Sequence, residues 1–208
     1  MIGDPMSQTD LSRELYQSLW NAADILRGQM EANDYKSYLL GLIFYKYLSD
    51  NILQAVCDNL DETFESFQQA QLLYEENFAD ADVREDLIEV LNDELGYVIE
   101  PSLTFTKLVQ SIHEGTFQLE FLAQSFRDIE QANEKFENLF EDIDLYAKKL
   151  GNTPQKQNKT ISEVMKQLND LNVSGHAGDI LGDAYEYLIG QFASDSGKKA
   201  GEFYTPQA

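Results

Sequence analysis

The stretch from Tyr35 to about Leu60 constrains this chain more than any other, because its apolar residues fall on every side of a helix. Tyr38, Leu39, Leu40, Leu42, Ile43, Phe44, Tyr45, Tyr47, Leu48, Ile52 and Leu53 leave no continuous face for water. Such a helix is stable only when other elements surround it, so the pattern predicts a central helix inside a helical cluster. Lys36, Lys46 and Asp50 interrupt it too often for a membrane span, and the chain has no run of eighteen apolar residues. No charged start leads into an apolar stretch with a small-residue cleavage site either. The expectations are a cytoplasmic location and no membrane partner.

The neighbours of this helix are legible from their spacing. From Ser7 to Met30, the residues Leu11, Leu15, Leu19, Ala22, Leu26 and Met30 recur every third or fourth position and make one helical face. Ser7 and Asp10 offer a weak capping box, and Asn33-Asp34 is expected to stop this helix and cap the next. Between Glu62 and Gly96, two more helices fit Phe64, Phe67, Leu72 and Tyr74, then Val83, Leu87, Val90 and Leu91, with Gly96 as a left-handed stop. Tyr97-Val98-Ile99, ahead of Pro101, is at most a minor extended piece. Helices are expected to resume after Ser102 and again after Thr116. Gly151-Asn152-Thr153-Pro154, followed by Gln155 to Lys159, reads as the best loop, and helices over Ile161–Leu171 and Ala177–Ala193 then lead to a Gly-rich tail. With strand alternation nearly absent and 43% of residues apolar, the expected fold class is all-α, a compact multi-helix domain with an extended C-terminal tail.

Charge narrows the function. The sequence holds 37 acidic and 15 basic residues, for a net charge of −22. Residues 1–150 carry 30 acidic against 10 basic, and residues 151–208 carry 7 against 5, so the acidity belongs to the first part. A strongly negative surface repels phosphate, which makes that part a poor main grip on DNA and favours a basic partner, with duplex binding weak at physiological salt. His113 and His176 stand far apart without cysteine neighbours, so no zinc site is expected, and Cys57 reads as a small core residue. Neither a nucleophile elbow nor a phosphate-binding loop is present. The pairs Glu75-Glu76 and Asp80 with Asp82 lack the apolar surroundings that raise a carboxylate's pKa. The aromatic residues, without interleaved Lys and Arg, read as core rather than as base-stacking platforms.

The tail Gly197-Lys198-Lys199-Ala200-Gly201-Glu202-Phe203-Tyr204-Thr205-Pro206-Gln207 differs from the rest. Two glycines flank a basic pair, and Pro206 forces Thr205 out of the helical region, so Phe203 to Pro206 present amides, a hydroxyl and two rings along an extended segment. Three ordered blocks, Leu19-Trp20-Asn21-Ala22-Ala23-Asp24-Ile25-Leu26-Arg27-Gly28, the run Tyr35 to Asp50, and Tyr185-Glu186-Tyr187-Leu188-Ile189-Gly190-Gln191-Phe192-Ala193 with this tail, closely resemble one family. The resemblance is to the N-terminal domain of the modification (M) subunit of type I restriction-modification systems, over about residues 7 to 208.

That resemblance implies an N6-adenine DNA methyltransferase using S-adenosylmethionine, assembled from two M subunits and one specificity (S) subunit, with restriction (R) subunits in the full enzyme. It implies that Glu202, Phe203, Tyr204, Thr205, Pro206 and Gln207 form the cofactor-contact stretch, Thr205 bonding the methionine carboxylate with Phe203 and Tyr204 packed nearby. The Gly-rich cofactor loop and the Asn-Pro-Pro-aromatic motif that holds a flipped adenine are absent from these residues and are expected after Ala208. The expected organisation is a start or cloning scar over 1–6, an acidic bundle over 7–150, joining helices over 151–196 and the beginning of the cofactor segment over 197–208. Catalytic residues and metal ligands are expected to be absent from this chain, which contacts duplex DNA only within the complex. The competing expectations are an acidic mimic of DNA and a plain helical interaction module.

Overall fold

The structure, a computed structural model, describes residues 8–171. Seven α-helices account for most of them: α1 (Gln8–Arg27), α2 (Ala32–Asn59), α3 (Phe67–Ala79), α4 (Ala81–Leu95), α5 (Phe105–Glu114), α6 (Leu119–Ala132) and α7 (Pro154–Leu168). The described residues contain no strand, so the all-α expectation holds. The expected capping contact of Ser7, the helix over 177–193 and the tail lie outside the described residues.

The central helix is where its sequence requires. α2 touches α1, α3, α4, α5 and α7, and Tyr38, Leu39, Leu42, Ile43, Tyr45, Leu48, Ile52 and Leu53 are buried. Leu40, Phe44 and Tyr47 are half-buried at its rim. Cys57 is buried among them. α2 starts earlier than Asn33-Asp34 allowed: Glu31 is its extended N-cap residue, and Asp34 sits in the first turn. A carboxylate there interacts favourably with the positive end of the helix, so Asp34 belongs inside the helix rather than at its boundary.

The acidic middle folds as the periodicity required, with one exception. Ser66 caps α3 by accepting from the Gln69 amide at 3.3 Å, and Asp80 Oδ1 caps α4 by accepting from Asp82 N at 3.0 Å. Gly96 ends α4 in the left-handed region at φ 82°. Leu72, grouped with the core residues by spacing, is instead 65% exposed. The face of α3 that meets its neighbours carries Ala70, Gln71 and Tyr74, and Leu72 points away from it.

Between the helices, tyrosine hydroxyls tie irregular chain to the core. Tyr74 donates to the Ile99 carbonyl at 3.0 Å and Tyr97 to Leu48 at 2.9 Å. Tyr38 donates to Asp144 at 2.5 Å, and Tyr45 donates to the Leu103 carbonyl. In each case a ring fills the core while its hydroxyl ties a segment between helices to the rest of the fold: Tyr74, Tyr45 and Tyr38 reach loop carbonyls, and Tyr97, itself between helices, reaches a carbonyl of α2. Burial pushes the Tyr38 hydroxyl up to about 12, with help from Asp144 and Asp34, and raises Tyr45, Tyr74 and Tyr97 as well. Gly41 gives the crossing loop its room: a Cβ there would lie 1.9 Å from Ile143 Cδ1.

α7 begins where a loop was expected. Pro154 occupies its first turn, and Thr153 Oγ1 accepts from the Lys156 amide at 3.3 Å. Proline at this point loses no hydrogen bond and fixes φ for a helix, so the polar run Gln155–Lys159 is helical. Ile161, Val164, Met165 and Leu168 are buried, and the helix packs mainly on α1, with further contacts to α5, α6 and α2.

Candidate functional site

The segment that sequence points to, Glu202 to Gln207, lies outside the described residues. Leu168 and Leu171, at the end of the described residues, are both buried. Beside Leu171 is a cavity of about 470 Å³, lined by Lys46 and Gln54 of α2, the turn from Phe64 to Gln68, Thr106 and Asn169–Leu171. Lys46 is 2% exposed and its Nζ lies 2.8 Å from Oδ2 of Asp50, which is fully buried. The ammonium also lies 5.3 Å from the centre of the Phe67 ring and 5.2 Å from that of Phe105. Asp50 Oδ1 has no hydrogen-bond partner. Burial pushes the Asp50 carboxyl up to about 6 against the opposing pull of Lys46. The ion pair lies within α2, and the ring contacts of its ammonium join α2 to the start of α3 and to α5; the pair is costly to break from either side.

A second feature lies at the other side of α7. A groove of about 580 Å³ runs between Ile25 and Gln29 at the end of α1, the turn Lys148–Asn152, and Lys156, Lys159, Thr160 and Glu163 of α7. Gln157, buried on α7, donates to the carbonyls of Tyr146 at 2.9 Å and Gly151 at 3.0 Å, and lies 3.4 Å from that of Ala147. Thr160 donates to Leu150 at 2.8 Å. These bonds hold the turn against α7, so its lysines and those of the helix face one groove. Gly151 makes the approach possible, since a Cβ would meet Lys156 Cβ at 2.5 Å and the Lys156 carbonyl carbon at 2.9 Å. Lys149 pairs with Asp34 at 2.8 Å and Lys166 with Glu163 at 2.7 Å. Lys148, Lys156 and Lys159 are exposed and have no ion-pair partner among the described residues.

Sequence reasoning missed this groove although the signal was present. Residues 148–166 hold five lysines and one acidic residue, but a division at residue 150 separates Lys148 and Lys149 from the others and hides the cluster. The acidic pairs have structural roles. Glu75 is half-buried, which raises its carboxyl, but bonds from Lys107 and Gln71 and the Lys107 charge outweigh burial and hold it below the usual range. Asp80 caps α4. His113 is exposed, and among the described residues no three His, Cys, Asp or Glu side chains gather as metal ligands. No described helix is long and apolar enough to cross a membrane.

The geometry therefore defines an α-helical domain of strongly segregated charge, with no acid–base pair poised for chemistry among its described residues. The family described as HsdM N-terminal domain matches residues 15–168, and that described as N-6 DNA Methylase matches residues 176–208. The chain belongs to the HsdM N-terminal domain family. It is 30% identical over 214 residues to the type I restriction enzyme MpnII methylase subunit of Mycoplasma pneumoniae, covering 96% of this chain and 38% of that protein. With the MjaIX methylase subunit of Methanocaldococcus jannaschii it shares 28% identity over 205 residues, covering 96% and 34%. The crystal structure of a type I restriction-modification system methyltransferase subunit from Streptococcus thermophilus superposes with a TM-score of 0.83 at 61% identity, over 94% of this chain and 42% of that one. The chain thus spans roughly two-fifths or less of the length of these relatives.

Proposed function

We propose that this chain is the helical N-terminal part of a type I M subunit, a domain that positions a following methyltransferase domain, closes an assembly around duplex DNA, and itself performs no chemistry. The match of residues 15–168 to the HsdM N-terminal domain, followed at 176–208 by the N-6 DNA Methylase match, is the observation that carries this reading. The whole protein transfers a methyl group from S-adenosylmethionine to the N6 of adenine. Its partners are an S subunit, a second M subunit and R subunits. Residues 7–150 form the acidic helical body, residues 151–196 join it to the catalytic domain, and Glu202, Phe203, Tyr204, Thr205, Pro206 and Gln207 open the cofactor site. An acidic mimic of DNA is disfavoured, because a methylase match at the C-terminal end has no place in a decoy.

Thr205 supplies the test. Its hydroxyl donates to the methionine carboxylate, and replacing it by Val keeps the shape while removing the donor. In a longer protein that continues into the methylase domain, Thr205→Val is expected to weaken S-adenosylmethionine binding by about 1–3 kcal/mol, the worth of a hydrogen bond to a charged group, and to leave the melting temperature unchanged. Calorimetry reads both effects. Unchanged affinity removes Thr205 from the site, and a variant that fails to fold makes the segment structural.

A further inference from the structure

We infer that the lysine groove between the end of α1 and the start of α7 is a contact for the phosphate backbone of duplex DNA. This assignment rests on the reading that the assembly closes around DNA, and it names the surface by which the domain takes part.

Charge is sharply separated across the domain. α3 and α4, with the turn before them, carry Asp61, Glu62, Glu65, Glu75, Glu76 and a run of further acids against Arg84 alone, whereas residues 148–166 reverse the sign. A duplex approaching the α3–α4 side meets repulsion; at the groove it meets Lys148, Lys156 and Lys159, none of them neutralised within the described residues. Two of these lysines are also placed against local stability. Lys156 and Lys159 lie in the first two turns of α7, whose first turn has no acidic residue. Positive charge at that end opposes the helix dipole, so helix stability does not account for it, whereas an anion there gains from lysine and helix together.

The lining identifies the anion. It contains no aromatic residue on which an unpaired base could stack, and the polar side chains beside the lysines, Gln29 and Asn152, are of the kind that bond phosphate oxygens. Glu163, the one carboxylate in the groove, is paired with Lys166. Lysine is a point charge without the planar fork that reads guanine, so this contact fixes position and carries no sequence preference. The bonds from Gln157 and Thr160 hold the two rows of lysines in place before DNA arrives.

Anisotropy titration of a labelled 20-base-pair duplex with the 208-residue chain, at about 20 to 150 mM salt, tests the assignment. Binding is expected to be measurable at low salt and to weaken with a log–log slope of about −3, one counterion for each unpaired lysine. Replacing Lys148, Lys156 and Lys159 together by Gln should lower affinity at least about tenfold and flatten the slope towards zero. The same variant should melt no lower than the parent, because it removes charge that opposes the dipole. A Lys198→Gln, Lys199→Gln control should bind like the parent. Equal affinity of parent and triple variant overturns the assignment, as does a loss confined to the control. None of these results bears on methyl transfer, so failure of the groove and failure of the proposed function are told apart.

Discussion

Replacing Lys46 by Met is expected to lower the folding free energy by about 3–5 kcal/mol at pH 8, the cost of leaving a buried charge without its partner. Asp50 is fully buried, one of its oxygens already lacks a hydrogen bond, and Lys46 supplies its counter-charge. The loss should shrink steadily as the pH falls to 5. With the lysine present, burial already lifts the Asp50 carboxyl to about 6 from an ordinary 3.8; without it, the folded-state value rises further. A carboxyl whose folded pKa exceeds its unfolded one contributes stability that is present below the unfolded value and is lost as pH rises through the folded value. The variant is therefore weakest above neutrality and recovers on acidification, once Asp50 takes up a proton. Asp50→Ala should cost less, because Lys46 borders the cavity near Leu171 and can draw water to its ammonium. The double change Lys46→Met with Asp50→Leu should restore stability to near the parent, as apolar replacements of buried pairs do. Urea denaturation at pH 5 and pH 8 checks all three variants, and a Lys46→Met loss that does not depend on pH refutes the role given to Asp50.

Gly151→Ala should cost about 2–4 kcal/mol. The added methyl meets the Lys156 carbonyl carbon and the Gln157 nitrogen at 2.9 and 3.0 Å, which are backbone atoms at the start of a packed helix and cannot rotate away. Relief requires the turn 147–151 to lift from α7, which breaks the bonds of Gln157 and Thr160 together. Gly115 provides the comparison: it has φ 74° and nothing within 4 Å of the place a methyl would take, so Gly115→Ala should cost only about 1 kcal/mol, the ordinary left-handed penalty. Equal losses in the two variants, measured by denaturant titration, would show that the turn is not held against α7.

The parts of the fold that periodicity reveals are those in which one physical demand dominates. An all-round apolar helix has one possible environment, so the central place of α2 was legible, though not its first turn or the half-buried rim of Leu40, Phe44 and Tyr47. Gly96 was legible because its chemistry selects a left-handed stop. The start of α7 was not, because glycine, asparagine, threonine and proline serve both a loop and a helix entrance, and only burial of Ile161 and its partners decides between them. Leu72 was misplaced because spacing alone does not say how wide the buried stripe of a short helix is. The tyrosine bonds to Ile99, Leu103 and Asp144 join residues tens of positions apart and leave no local signature. The lysines of the groove do cluster in sequence over 148–166, but that they face one another follows only from Gln157 holding the turn on α7. The proposed cofactor segment, by contrast, rests on resemblance and on the methylase match over residues 176–208.

Whether these residues serve an adenine-methylating M subunit is decided by the identity of the methylated nucleoside. A longer protein carrying this domain and a whole methylase domain, purified with its S subunit, is incubated with duplex DNA and S-adenosylmethionine tritiated on the methyl group, and the DNA is digested to nucleosides. Label is expected in N6-methyladenine from the complex, and none from the 208-residue chain alone. Label in a methylated cytosine, or none from the assembled complex, would overturn the assignment.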